Sequence, residues 1–432
     1  MKTKAVIENG FKETEIGLIP EDWKIVKLGD VAEISSGGSA PQGNNYFNGK
    51  NPFVRVQHID RESVRLIKWD LITDDAVKKY KLKLCPKGAI VFPKSGASIY
   101  LEKRAILPID AYIVSHLCAV ISNDKNVNQK FLFYELRNIE LSRDKADGYP
   151  TLNLSEVKNV KVIIPSLSEQ QKIAFVLSKI QQVIEQQHKI IEITKELKKS
   201  LMYKLFTEGL NGEEQKETDI GLMPKSWGVV KLGEFKELIT KGSSPRWQGF
   251  NYCDRGIIFI RSQNVGFGEL LLNEIAYLPI KFNEKEKSSI IKANDILINL
   301  VGASIGRAAV ATSNIEGGNL NQAVAIVRLK PSYFIPQFLM YYLLTDNGQR
   351  QIHLNKKEIA RANISLQDVN NFIVPKPEGS EQVEIVNFLS SLDKKLSQAD
   401  ARKQALQALF RTMLNQLMAG KVRVKDFDFE VN

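Results

Sequence analysis

The sequence predicts an α+β protein made twice over. It has two similar mixed-sheet domains and two long antiparallel helices, paired as an intramolecular coiled coil with pseudo-twofold symmetry. Three observations predict this. A helix-period apolar stripe fills the middle of the chain, a second stripe of similar length closes it, and the segments ahead of the two stripes are copies of one another.

The copying is explicit. Glu13-Thr-Glu-Ile-Gly-Leu-Ile-Pro-Glu-Asp-Trp23 returns as Glu217-Thr-Asp-Ile-Gly-Leu-Met-Pro-Lys-Ser-Trp227, an offset of 204. Arg55-Val-Gln57 matches Arg261-Ser-Gln263, and Gly96-Ala-Ser-Ile99 matches Gly302-Ala-Ser-Ile305, both at 206. Ser168-Glu-Gln170 and Ser380-Glu-Gln382 stand 212 apart, a drift that a few loop insertions produce. The expected order is a domain at 13–166, a helix at 167–212, a domain at 213–379, a helix at 380–420 and a tail at 421–432.

Within the first globular segment, β-like runs at 52–57, 89–92 and 111–122 precede a helical patch at 131–138. The second has runs at 257–262, 295–301 and 323–329, then a helical patch at 334–345. Turn formers separate the runs, among them Gly37-Gly-Ser-Ala-Pro41 and Gly242-Ser-Ser-Pro245. A segment of about 150 residues can hold its own core.

The first helix opens at Ser168, an N-cap with Gln171 as capping-box partner. Behind it run two sevenfold lines: Ile173, Ile180, Gln187, Thr194, Leu201 and Leu177, Ile184, Ile191, Lys198, Leu205. A third line, Val176, Val183, Ile190 and Leu197, widens the stripe. No Pro or Gly interrupts it before Gly209 and Gly212, so one helix of about 50–60 Å is expected. The second helix repeats the pattern with Ile385, Leu392, Leu406 and Met413 beside Leu389, Leu396 and Phe410. The connection between the first helix and the second domain is short, which favours antiparallel pairing. The tail from Lys421 alternates polar and apolar residues, as a short closing strand would.

Composition narrows the class. At 43% hydrophobic and 25% charged residues, the chain reads as globular. No apolar run approaches a membrane span and the start lacks a signal-peptide core, so a cytoplasmic protein is expected. Cys85, Cys118 and Cys253 show no CxxC spacing, and the four histidines are scattered, so no metal site is expected. There is no phosphate-binding loop and no Asn/Asp-Pro-Pro-aromatic methyltransferase motif. A non-catalytic chain is the expectation. The formal charge of +11 suits a polyanionic partner without requiring one.

Polar-aromatic loops recur in equivalent places. Asn44, Asn45 and Tyr46 in one half answer Arg246, Trp247 and Gln248 in the other; Arg55 and Gln57 answer Arg261 and Gln263. A second patch has Lys94, Ser95 and Arg104 against Arg307, and a third has Lys145 and Tyr149 against Lys356 and Arg361. Asn, Gln and Arg read base edges, and Lys and Arg hold phosphates. Each loop taken singly is also compatible with a solvated turn anchored by its aromatics; their repetition favours duplex DNA.

Several of these segments together resemble the specificity subunit of type I restriction–modification enzymes, over nearly the whole chain. The likeness rests on the duplicated stretch ending at Trp23 and Trp227, Ser168-Glu-Gln-Gln171, Leu205-Phe-Thr-Glu-Gly209 and Leu417-Met-Ala-Gly-Lys-Val-Arg-Val424. Gly302-Ala-Ser-Ile-Gly-Arg307 and Asn319-Leu-Asn-Gln322 are similar to that family's target-recognition domains, which adds Asn321 and Gln322 to the DNA-contact candidates. The first half departs, with Tyr100 for the second Gly and Ser115-His116 for Asn-Gln.

The resemblance implies that each half reads one part of a bipartite double-stranded DNA site while the helices set the gap. It also implies docking of two methyltransferase subunits, which bring S-adenosylmethionine, and motor–nuclease subunits that use ATP and magnesium. This chain would carry no cofactor and meet no membrane. Two other readings stay open: a coiled-coil adaptor for proteins only, and a self-contained DNA-modifying enzyme.

Overall fold

The computed structural model describes residues 10–60, 64–142, 150–330, 332–354, 363–425 and 427. The chain divides into two compact units, residues 1–190 with 399–432, and residues 191–398. Each unit therefore takes one end of both long helices, Leu167–Glu208 and Gly379–Met418.

In the first unit, an antiparallel sheet of four strands runs Ala32–Ser36, Leu117–Ser122, Ile90–Pro93, Ala105–Ile106 in spatial order. Alternation along these strands explains the layering. Ile90, Phe92, Cys118 and Val120 face a core shared with Ile173, Leu177 and Ile184 of the first helix and Phe410, Leu414 and Leu417 of the second. Val91, Leu117 and Ala119 point the other way, into a core with Phe53, Ile72 and Ile113. That second core belongs to a sheet ordered Asp70–Ile72, Phe47–Val54, Ala111–Ile113, Leu84–Cys85. The strand pair in its middle is parallel, with Ile113 opposite Val54.

The second unit repeats the plan. Ile296, Ile298, Ala325 and Val327 face the helix ends through Leu205, Phe206, Ile385 and Leu389. Leu297, Val324 and Ile326 face a core with Ile260 and Leu320. Here too a parallel pair occurs, with Leu320 opposite Ile260.

The helices run antiparallel within each unit. In the second, Lys198 pairs with Asp393 and the Leu210 N–H reaches Glu381, so steps forward along one helix are steps back along the other. Of the predicted seam, Ile173, Leu177, Ile184, Ile191, Ile385, Leu389, Leu392 and Phe410 are buried. Ile180, Leu201, Leu396, Leu406 and Met413 are half-buried. The third line splits: Val176 and Val183 are half-buried, while Ile190 and Leu197 are 52% and 54% exposed.

Three expectations need correction. The first helix starts at Leu167, and its cap is Ser166, whose hydroxyl accepts the Glu169 N–H, rather than Ser168. The run at 111–122 is two strands in different sheets, broken at Val114-Ser-His116, where the chain crosses from one layer to the other. The tail forms no strand among its described residues. Val422 and Val424 pack into the first core, as the alternation implies, but Arg423 is drawn onto side chains instead of a ladder.

Candidate nucleic-acid interface

A frame common to both units holds the recognition layers on the helices. Trp23 Nε1 donates to Glu169 at 3.0 Å, and Trp227 Nε1 to Glu381 at 2.8 Å. Gln170 and Gln382 each accept the backbone N–H that leads into the helical patch, from Asn128 and Ile335. The repeated Ser-Glu-Gln motif thus serves the fold: its Glu anchors the tryptophan and its Gln anchors a loop.

The candidate interface lies where the parallel strands end. In the first unit Arg55-Val-Gln57 and Val114-Ser-His116 leave side by side, and the Val114 N–H donates to Val54 O at 3.0 Å. Gly37 is pressed against them, since a Cβ there would lie 2.2 Å from Ile113 O. Lys94 joins through its N–H to His116 O at 2.8 Å. In the second unit Arg261-Ser-Gln263 and Asn321-Gln-Ala323 emerge together, with the Asn321 N–H on Ile260 O at 2.9 Å. Gly242 packs so closely that a Cβ would sit 1.7 Å from Leu320 O, which requires glycine. Leu300 joins there through its N–H to Ala323 O at 2.8 Å, so four loops meet on one edge in each unit, at the carboxyl ends of a parallel pair.

Not every candidate residue is free to touch a ligand there. Arg55 lies against Phe47 at 5.1 Å and pairs with Asp70 at 2.8 Å, and its N–H donates to His58 Nδ1. Burial lowers the His58 pKa, which keeps that nitrogen an acceptor. Arg261 repeats the arrangement with Asn264 in the histidine's place and a bond to Glu274 O. Both arginines brace their turns, and the residues they present, Gln57 and Gln263, are exposed. Arg104 is a clear correction. It is 4% exposed, bonded to Glu102 and to Ile139 O, so it ties loops together inside the unit and offers nothing to DNA.

Asn44–Tyr46 and Arg246–Gln248 form matching 3-10 turns. Asn44 and Asn45 are exposed, while Tyr46 is clamped by Lys79 at 2.6 Å and by the edge of Tyr80. Arg246 is exposed and Trp247 is 83% exposed; Gln248 is half-buried and its carbonyl accepts from Lys285. Lys94, Ser95 and Asn321 are half-buried and Gln322 is exposed. Arg307 lies over the exposed ring of Phe267 at 5.4 Å. Lys145, Tyr149, Lys356 and Arg361 lie outside the described residues.

The sequence reading missed Lys79 and Phe267. Phe267 had a signal, an aromatic between two glycines at 266 and 268, whereas Lys79 is unmarked among its neighbouring lysines. The second unit also gathers buried polar atoms without partners among the described residues: Ser243 Oγ, Arg261 Nε, Asn299 Oδ1 and Arg307 Nε. Such atoms are rare in finished interiors.

A family model described as the type I restriction modification DNA specificity domain matches twice, over residues 20–195 and 224–408. The type I restriction enzyme MjaVIII specificity subunit of Methanocaldococcus jannaschii is 27% identical over 438 residues, covering 98% of either chain. The EcoBI specificity subunit of Escherichia coli is 24% identical, across 89% of this chain and 83% of its own. A crystal structure of a type I restriction-modification S subunit from M. genitalium has the same fold, with a TM-score of 0.59 at 16% identity, over 96% of this chain and 99% of that one. With two copies of the matched domain in one polypeptide, the chain belongs to the specificity subunits of type I restriction–modification systems and carries two target-recognition domains.

Proposed function

We propose that each unit reads one half of a bipartite duplex site, and that the paired helices fix the gap and dock two methyltransferase subunits. The recognition domains are residues 13–166 and 213–379, and the chain itself performs no chemistry. S-adenosylmethionine, and ATP with magnesium for motor–nuclease subunits, enter with the partners. One observation carries this reading: the same four-loop edge is built twice on the same frame, with different exposed side chains. A single ligand shared by both units would call for matching edges; two half-sites of different sequence call for what is present.

The helices support the spacing role. At 42 and 40 residues they extend about 60 Å each, against about 34–36 Å between half-sites one turn apart. Within the second unit the helices carry Ile193, Leu197 and Phe388, all about half exposed, apolar positions suited to a bound subunit. The test is a genome-wide map of N6-methyladenine with the gene for this chain present and then deleted. Loss of methylation at a split motif of fixed gap supports the reading. An unchanged map in cells with an active partner methyltransferase overturns it.

A further inference from the structure

We propose that His116, positioned by Ser95, is a specificity-determining residue of the first unit, reading a base that the second unit has no equivalent side chain to read. This rests on the DNA-reading function above.

The strand ladders fix the comparison. Ile113 lies opposite Val54 as Leu320 lies opposite Ile260. Lys94 N–H bonds His116 O as Leu300 N–H bonds Ala323 O. His116 therefore corresponds to Ala323, one place along from the match that the linear sequence suggests. Ser95 and Val301 correspond as well, each forming a single bridge, to Thr151 and to Asn363. Where the second unit has Val301 and Ala323, the first has a polar pair in contact, with Ser95 Oγ 2.5 Å from His116 Nδ1.

The pair is built to present the ring. The backbone on either side is fixed, by Ser115 N–H on Gly38 O at 2.7 Å and Gly96 N–H on Pro150 O at 2.9 Å. The imidazole is exposed, beside Lys94 on the edge that also presents Gln57. His58 shows the contrast: its ring is turned inward to hold a backbone N–H and face Asp70. Ser95 Oγ occupies Nδ1, so Nε2, which has no partner among the described residues, is the ring nitrogen left to face a ligand, and it is a donor in the tautomer in which the Ser95 hydroxyl donates to Nδ1. An outward N–H donor at this edge matches the acceptors of the major groove, guanine O6 and N7, adenine N7 or thymine O4.

The experiment selects bound sequences from a randomised duplex library with the full-length chain, comparing wild type with His116→Ala and Ser95→Ala. Expected is a split motif for wild type, and a loss of roughly tenfold in preference at one base pair of one half-site for His116→Ala. Ser95→Ala should blur the same base pair to a smaller degree, and the other half-site should stay unchanged in both. An identical motif in His116→Ala, or parallel loss at both half-sites, overturns the assignment. If His116→Ala does not fold, His116→Gln decides the question at that base pair: an altered preference there supports the assignment, and an unaltered motif overturns it. A wild-type chain that selects no split motif overturns the DNA reading itself.

Discussion

Glu135 is 2% exposed, and its position explains both its presence and its cost. One carboxylate oxygen accepts the Ile163 N–H at 2.8 Å, while the other has no partner among the described residues. Burial pushes its pKa up to about 7. The second unit avoids the problem: Pro375 stands where Ile163 does and has no N–H to satisfy, and Tyr342 replaces the glutamate. The folded chain therefore holds this proton more tightly than the unfolded chain does. The stability that this one carboxyl contributes is whole below about pH 4.5 and is lost, by up to about 3 kcal/mol, as pH rises through about 7. Glu135→Gln should remove that slope, melting above wild type at about pH 8 and losing the advantage near pH 4.5 in calorimetry. Arg423 poses the opposite case. It grips Glu169, which is 1% exposed, and Asp22, whose carboxyl it holds below the usual range. Arg423→Ala leaves Glu169 with Trp23 alone and should cost about 3–5 kcal/mol, read as a lowered melting temperature. None of this was legible in the sequence, because an ion pair between residues 169 and 423 follows from tertiary contact and not from local pattern.

Among elements, the helices were the most legible, since a sevenfold stripe uninterrupted over some forty residues has no competing explanation. Their caps were less so: serine stands at both 166 and 168, and the helix begins at Leu167 with the Ser166 hydroxyl accepting the Glu169 N–H. Lys198 sits on a predicted apolar line and looks like a flaw there. In the structure it pairs with Asp393 of the other helix and lies over Tyr341 at 5.2 Å, a polar contact that fixes register. Tyr341 in turn donates to Asp393 at 2.6 Å. Burial grades the seam. Leu389→Ala, at a fully buried site, should destabilise by about 2–5 kcal/mol. Leu396→Ala, at a half-buried one, should cost clearly less, and denaturant titration of the pair checks the order. The sheet crossing at Val114-Ser-His116 was illegible because it contains no Gly or Pro, and β-branched residues continue on both sides of it.

For the molecule as a whole, duplication was plain from the sequence, and so was the class of side chain at each edge. Which candidates face outward was not. Arg55, Arg104 and Arg261 have the composition of DNA contacts and the positions of braces. Exposure depends on how each turn folds back on its own sheet. Because the frame is common and the edges differ, substitutions at the edges should act on one half-site at a time. Gln57→Ala should relax the motif read by the first unit and Gln263→Ala that read by the second, by roughly tenfold at one position each. Methylation mapping checks this, and equal loss at both half-sites in either variant would contradict separate reading.

The division of the chain also orders its synthesis. The second unit is continuous, residues 191–398, whereas the first needs residues 399–432 to join residues 1–190. A ribosome delivers the second core in full while Ile173, Leu177 and Ile184 still await Phe410, Leu414 and Leu417. The domain that is translated first is therefore the one that finishes folding last, and its uncovered seam is the surface that a nascent chain must keep from misassembly.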